Sequence, residues 1–194
     1  PNDSDDKGGG DDKGRHGKTR RPNRKFWLTR DVKKAVAYLT TPPEVTKAAH
    51  VLWPRADEVV RILTSTKGKN MYFDIETNRS LEMTCFGFSF DEKRAWCVPM
   101  VVSPREGYYY SDTPRILRAL AVAMRDNTTV IHNSLFDLFV MGYKYGIPAP
   151  RRVYDTMLAH HRLFPEVEKS LGHCLSLYTD QPYHKNEGVF EAHG

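Results

Sequence analysis

Two carboxylates interrupt the apolar stretch "KNMYFDIETN" at residues 69–78, which otherwise has the composition of a buried β-strand. Asp74 and Glu76 stand two positions apart, so their side chains project from the same face of a strand, roughly 7 Å from each other. Neighbouring carboxylates repel, and burying either one without a partner costs several kcal/mol. Such a strand therefore either solvates its charges at a sheet edge or neutralises them with a cation.

The chain has 194 residues, enough for one domain and a tail. Residues 1–25 contain no large apolar residue and cannot bury enough surface to offset their ordering entropy, which predicts a disordered, charged tail. Its basic half is either a solvated linker or an arm that contacts a phosphate backbone. Residues 26–68 are predicted to form an N-terminal helical segment, and residues 69–194 one α/β domain.

Composition narrows the class of protein. Cys85, Cys97 and Cys174 are odd in number, lie in apolar surroundings and form no CxxC pair, which predicts reduced thiols in an intracellular, cytoplasmic protein. The longest apolar runs are too short to span a bilayer, so no membrane partner is expected. A formal charge of +5 permits an anionic partner without requiring one.

Three strand-like segments follow one another from residue 69, and short strands then alternate with helices. "MTCFGFSF" (83–90) and "RAWCVPMVV" (94–102) are joined by a short polar turn, which predicts a β-hairpin. The predicted order β-β-β-α-β-α-β-α indicates a mixed five-stranded sheet flanked by helices.

A third acid, Asp137, stands in "HNSLFD" (132–137) at the predicted start of a helix. Ser134-x-x-Asp137 is also a capping-box-like pattern, so Asp137 taken alone has a structural explanation. In a sheet of this order, the turn after the fourth strand can lie beside Asp74 and Glu76, which would bring three carboxylates into one cleft. Such oxygen ligands are typical of Mg²⁺ or Mn²⁺, and two ions about 4 Å apart can promote phosphodiester hydrolysis.

"FDIET" and "HNSLFD" resemble the first two motifs of the DnaQ-like (DEDD) 3′→5′ exonucleases, in particular the proofreading domain of family A, phage-type DNA polymerases. "YDTMLAHHRLFP" and "SLGHCLSLYTDQPYHK" support the resemblance, which covers residues 55–190. It implies an RNase H-like fold, two Mg²⁺ or Mn²⁺ ions, and a single-stranded DNA 3′ end as substrate. It also implies a polymerase domain in the same or another chain, and the release of nucleoside 5′-monophosphates.

The resemblance assigns roles by position. Asp74 would bind both metal ions, Glu76 would bind the first ion and orient the attacking water, and Asp137 would hold the second ion. Three more positions match residues that contact the terminal nucleotide or its base: Thr77, Asn133 and Leu81.

The family's third motif, a Tyr followed four residues later by an Asp, is not found in the expected order. Tyr108-x-x-x-Asp112 fits the letters but lies between the first two motifs. Tyr183-x-x-x-Glu187 ends in Glu, and Asp155 is explained better as a helix N-cap than as a ligand. The domain is therefore predicted to stop before the third motif and to be weak or inactive alone. It would then be a polymerase fragment, one piece of a split enzyme, or a retired exonuclease.

Two alternative functions stay open. A non-catalytic nucleic-acid-binding or polymerase-scaffolding module would bind single strands without metal-dependent cleavage. A ribonuclease D-like exonuclease would share both motifs while acting on RNA. Lys67, Lys69 and Arg79 flank the acidic strand, where they either steer a phosphate backbone or are ordinary surface charges.

Overall fold

The computed structural model describes residues 24–43, 48–100 and 112–181 and divides the chain into two compact units, the first ending at Thr41 and the second beginning at Pro42. The first unit contributes α1 (Arg24–Thr40), which starts two residues inside the predicted tail of residues 1–25. The rest of that predicted tail, residues 1–23, lies outside the described residues. The outward side chains of α1 include Leu39, which is 85% exposed.

The second unit is built from six strands and five helices within the described ranges. In chain order they are β1 (Ala49–Leu52), α2 (Ala56–Ser65), β2 (Asn70–Thr77), β3 (Met83–Ser89), β4 (Arg94–Pro99), α3 (Thr113–Asp126), β5 (Thr128–Ile131), α4 (Ser134–Tyr145), β6 (Val153–Asp155), α5 (Thr156–Leu163) and α6 (Leu171–Tyr178). In this part of the chain no helix is long and apolar enough to cross a membrane.

The strands form one mixed sheet in the order β1-β4-β3-β2-β5-β6. β2, β3 and β4 are antiparallel neighbours, and the turn between β3 and β4 makes the predicted hairpin. β5 and β6 extend the sheet in parallel on the other side of β2. The mixed sheet flanked by helices is confirmed. A sixth strand is added to the predicted five, because β1 pairs in parallel with β4 at one edge.

The core includes α2 as well as the sheet. Val59 and Leu63 of α2 are fully buried, and they belong to one apolar cluster with Ile116 and Leu120 of α3. α2 is therefore part of the α/β unit, where the sequence placed residues 26–68 in a separate helical segment. Its two buried positions, four residues apart, give it one apolar face, which packs against α3.

The buried Asn127 connects three elements at the end of α3. Its side-chain amide donates to the carbonyls of Thr66 and Ala123, both at 2.9 Å, and its Oδ1 accepts from the Lys69 backbone amide at 2.9 Å. These bonds fasten the end of α2 and the start of β2 to α3. They satisfy a fully buried polar side chain, which would otherwise destabilise the fold.

The three cysteines are free thiols, as predicted. Burial raises the pKa of Cys85 to about 11, with further contributions from neighbouring Cys97 and from Glu76. Burial also raises the pKa of Cys174. Since the thiolate is the reactive form, both side chains are poor nucleophiles at neutral pH.

Candidate active site

The two acids of β2 lie on the sheet face opposite the core, which we call the open face. Residues of β2 alternate as predicted, with Met71, Phe73 and Ile75 buried and with Asp74 and Glu76 exposed. The charges of the strand are therefore not buried, and both carboxylates can reach a solvated ligand.

Asp137 is brought to β2 by the parallel pairing of β2 with β5. That ladder ends at Tyr72, opposite Val130, and the chain then turns into α4. Three residues further along β2, the backbone amide of Ile75 donates to Asp137 Oδ1 at 3.1 Å. The carboxylate of α4 thus occupies the edge of β2 where strand pairing has stopped, beside Asp74.

Asp137 is only 3% exposed, and its ionisation is strongly perturbed. Burial is the largest cause that raises the pKa of Asp137 to about 7, followed by the charge of Asp74 and, with a smaller contribution, that of Asp155. The hydrogen bond from Ile75 opposes these effects. The site therefore holds negative charge that its surroundings compensate only partly, which is a property of functional sites.

Asp155, the last residue of β6, caps two helices at once. Its Oδ1 accepts from the backbone amides of Met157 (2.8 Å) and Leu158 (3.1 Å), which makes it the predicted N-cap of α5. Its Oδ2 accepts from both the backbone amide and the hydroxyl of Ser134, each at 2.7 Å, at the start of α4. A further bond from the Asn133 amide is 3.3 Å long.

These bonds explain the charge state of Asp155 and exclude it as a metal ligand. Burial alone would raise its pKa, but the hydrogen bonds from Ser134, Leu158 and Asn133 together lower it below its ordinary value. Both oxygens are committed to helix amides. The hydrogen bonds between Asp155 and Ser134 link residues 21 positions apart, so no local sequence pattern predicts them.

The three predicted nucleotide-contacting residues lie in unusual backbone. The pairing of β2 with β3 shifts register between Glu76 and Thr77, a bulge that re-aims the strand end. Leu81 has φ +60° and is half-buried against the core. Asn133 has φ +67° and is exposed; its carboxamide does not cap α4, because Asp155 does.

A groove of about 490 Å³ runs along the open face beside Asp74. Its wall includes Tyr72 and His132, and its floor includes Gly87, which is directly opposite Asp74 in the sheet register. A Cβ atom built on Gly87 would come no closer than 4.0 Å to another heavy atom, so this position simply leaves space. The volume is within the range of small-molecule and nucleotide sites.

Two histidines hold the chain segment that precedes α6. His132 Nε2 lies 2.9 Å from the carbonyl oxygen of Lys169, and His160 Nε2 lies 3.0 Å from that of Glu168. Consecutive carbonyls are thus held by the end of β5 and by α5. We call residues 168–169 the histidine-held segment.

The predicted metal ligands are Asp74, Glu76 and Asp137. Carboxylates are the right donors for Mg²⁺ or Mn²⁺, and the perturbed Asp137 favours a cation. Across residues 24–43, 48–100 and 112–181, however, no group of three His, Cys, Asp or Glu side chains is arranged to hold a metal ion. Asp74 and Asp137 interact, whereas Glu76, two residues further along β2, faces Cys85 across the strand pair.

The third-motif candidates give no further ligand within the described residues. Asp112 stands at the N-cap position of α3 without a side-chain capping bond and pairs with Arg115 at 3.7 Å. Tyr108, Tyr183 and Glu187 lie outside the described residues. Two of the basic residues lie away from the acids. Lys67 pairs with Asp126 at 3.6 Å, and both Lys67 and Lys69 precede β2, at the end opposite its acids.

No protein-family model matches the chain, and no curated protein matches it. Among solved structures, the EXO domain of Aedes aegypti Nibbler is similar at 14% identity and TM-score 0.55, over 75% of each chain. Escherichia coli RNase D, described as an exoribonuclease involved in structured RNA processing, is similar at 14% identity and TM-score 0.52 over 73% of this chain. The catalytic core of RRP6 from Trypanosoma brucei is similar at 11% identity and TM-score 0.50 over 70% of this chain.

These similarities confirm the RNase H-like exonuclease fold. At such identities they establish the fold alone, and the chain spans 36% of the RNase D and RRP6 chains. They do not connect the chain to a DNA polymerase.

Proposed function

We propose that this chain is a metal-dependent 3′→5′ exonuclease domain, which hydrolyses the terminal phosphodiester of a single strand and releases nucleoside 5′-monophosphates. The observation that carries the proposal is the contact of Asp137 with the Ile75 amide beside Asp74, which joins the two acidic motifs across the β2–β5 edge. The fold shared with solved exonuclease domains supports it.

Asp74, Glu76 and Asp137 are the residues that would hold Mg²⁺ or Mn²⁺. When bound, the cations would polarise the phosphate and offset the charge that develops during hydrolysis. Glu76 is exposed, and its carboxylate could orient the attacking water. The exposed carboxamide of Asn133, relieved of capping, could donate to the terminal nucleotide, while Asp155 keeps α4 in position.

Three candidate functions follow from three different observations. The motif resemblance implies a DNA 3′ end and a polymerase domain in the same or another chain, and we propose proofreading as the first candidate. Similarity to RNase D favours an RNA 3′ end as the second. A non-catalytic binding module is the third, because the described residues gather no three-ligand cluster.

A cleavage assay separates these candidates. The full chain is incubated with 5′-labelled DNA and RNA oligomers of one sequence, with Mn²⁺ or with EDTA. Asp74→Ala is the inactive variant, and Glu92→Gln, an exposed acid in the β3–β4 turn, is its matched control. Shortening from the 3′ end that EDTA and Asp74→Ala abolish supports the exonuclease, and the preferred oligomer identifies the substrate. Binding of either strand that is equally tight in EDTA, without cleavage, would leave the binding module.

A further inference from the structure

Basic residues from three segments of the chain meet at the end of the sheet opposite the acids of β2. The segments are residues 66–70, 125–128 and 146–152, and the only acid among them is Asp126. Their basic residues are all exposed: Lys67, Lys69, Arg125, Arg151 and Arg152. We call these five residues the basic edge.

The main chain holds the basic edge together. The backbone amide of Thr128 donates to the Lys69 carbonyl at 2.9 Å, and the amide of Thr129 donates to the Arg152 carbonyl at 2.9 Å. Both bonds adjoin strand ladders, because β5 pairs with β2 on one side and with β6 on the other. The three segments are therefore neighbours by the topology of the sheet.

One carboxylate cannot neutralise these five cations. Asp126 accepts two hydrogen bonds from Arg125, at 2.7 and 3.2 Å, and pairs with Lys67 at 3.6 Å. The hydrogen bond from Arg125 holds the pKa of Asp126 below its ordinary value. The other three cations of the basic edge have no carboxylate partner within these segments, which are fully described, so the edge keeps an excess of positive charge.

A phosphate backbone fits the basic edge better than other anionic surfaces do. Three of the five cations are arginines, whose planar guanidinium groups bind phosphate oxygens through paired hydrogen bonds. Arg125 and Arg151 line a cavity of about 340 Å³, with Pro148 and Ala149 in its wall, which leaves room for a sugar or a base beside the phosphate. A membrane surface would need apolar side chains to insert, and none of the three segments has an exposed large apolar residue.

We propose that the basic edge binds the phosphate backbone of the nucleic acid strand, upstream of the end that is cleaved. Lys69 precedes Asp74 by five residues, which is about 17 Å of extended backbone. At roughly 3.4 Å per stacked nucleotide, that distance corresponds to about five nucleotides. The placement rests on the proposed function, because it takes the 3′ end of the strand to lie at Asp74. Strands shorter than this do not reach from the acids to the basic edge.

The surface is tested by fluorescence anisotropy with the full chain in EDTA and 5′-fluorescein-labelled oligothymidylate and oligouridylate of twelve nucleotides, between about 50 and 200 mM KCl. The test variant combines Lys69→Gln, Arg151→Gln and Arg152→Gln. Each phosphate contact contributes about 0.7 to the slope of log affinity against log salt for a single strand. The variant should therefore lose about 2 from that slope and bind at least about tenfold more weakly at the lowest salt.

The matched control combines Arg61→Gln, Arg118→Gln and Arg162→Gln, which remove the same charge from exposed positions on α2, α3 and α5. It should change the slope and the affinity much less. Circular dichroism establishes that both variants are folded.

The placement of the strand is tested by cleavage kinetics in Mn²⁺. In the test variant, KM for the twelve-nucleotide strands should rise about tenfold with kcat unchanged, and the kinetics of four-nucleotide strands should stay the same. Cleavage by the wild type with an equal rise of KM for both lengths would overturn the placement.

Three results would overturn the basic edge itself: a wild-type chain that does not bind the twelve-nucleotide strands, an unchanged salt slope in the test variant, or equal losses in the two variants. Binding of phosphatidylserine vesicles that the test variant loses, with unchanged affinity for the strands, would assign the surface to a membrane instead. A reduced slope without any cleavage by the wild type would retain the basic edge and refute the exonuclease. Cleavage with an unchanged slope would do the reverse.

Discussion

The backbone amide of Ile75 and the carboxylate of Asp137, 62 residues apart in the chain, are joined by a hydrogen bond of 3.1 Å. This bond fixes the start of α4 to the second half of β2. Because Ile75 directly follows Asp74, the buried acid is held beside the exposed Asp74, whose charge acts on it. The candidate site is therefore organised by main chain as much as by side chains.

Activity should depend on the ionisation of Asp137. Because burial and the charge of Asp74 raise the pKa of Asp137 to about 7, a proton competes with the cation for this carboxylate below that value. At a cation concentration below saturation, we expect the cleavage rate to rise about tenfold per pH unit below neutrality and to level off above it. A pH–rate profile measures this, and a flat profile across neutral pH would contradict it. A carboxyl NMR titration should show a lower midpoint in Asp74→Asn.

The raised pKa of Asp137 should also make folding stability fall as pH rises, whereas activity should increase. A folded-state pKa above the ordinary value means that the folded chain holds the Asp137 proton more tightly, so stability falls as pH rises from that ordinary value to about 7. Asp137→Asn should then raise the free energy of unfolding in alkaline buffer, by up to about 4 kcal/mol, and change it little in acid. Urea denaturation at both pH values tests this. Equal effects at the two would argue against a buried, strained carboxylate.

Asp155→Asn should destabilise the chain more than the loss of an ordinary cap. The substitution puts an amide among donors at the starts of both α4 and α5, and we expect a loss of about 2–4 kcal/mol. The comparison is Asp91→Asn. Asp91 caps only the β3–β4 turn, where it accepts from the amides of Lys93 and Arg94, so its substitution should lower stability less. Since the pKa of Asp155 is lowered, its contribution is present above its ordinary pKa and is lost as pH falls below it. Thermal unfolding of the two variants measures both losses of stability. Equal losses would mean that the double cap is unimportant.

Alanine substitutions at two glycines of the α4 region should change the free energy of unfolding in opposite directions. Gly146 ends α4 at φ +63° with open space around it, so Gly146→Ala should destabilise by about 1 kcal/mol through backbone strain alone. Gly142 is inside the helix, and an added Cβ would meet the Ile147 carbonyl at an ordinary 3.8 Å. Gly142→Ala should therefore stabilise by up to about 1 kcal/mol. Chemical denaturation of the pair measures both, and a shared sign would be inconsistent with this account.

Gly87→Val should reduce substrate binding without unfolding the sheet. The new side chain would enter the open-face groove opposite Asp74, and a β-branched residue is well tolerated in a strand. We expect a several-fold weaker affinity for single strands with an unchanged melting temperature, and Gly142→Ala serves as the glycine control. Unchanged affinity would mean that the strand does not use this groove.

The elements around the candidate site were predictable because their signals are local. The alternation in β2, the hairpin turn and the glycine that ends α4 each appear within a few residues, and the two acidic motifs could be placed at a strand and at a strand-to-helix turn. How those motifs meet follows from the parallel pairing of β2 with β5, which a single sequence constrains only through the order of elements.

Long-range features were not predictable in the same way. β1 is a mostly exposed edge strand of four residues. It is recognised as a strand by its pairing with β4, which the local sequence does not reveal. Asp155 reads as an N-cap, yet its bonds to Ser134 depend on the packing of β6 against β5. Lys67 and Lys69 are close to the acids in sequence but precede β2, whereas the acids lie in its second half. The extended backbone of the strand therefore separates these charges.

The histidine-held segment fixes the tautomers of two imidazoles. The carbonyls of Glu168 and Lys169 can only accept, so Nε2 carries the proton in both His160 and His132, leaving Nδ1 to accept from the hydroxyls of Tyr178 and Thr156. The segment before α6 is therefore attached twice, by imidazoles from two different elements, so that the loss of one ring would leave the other hydrogen bond in place.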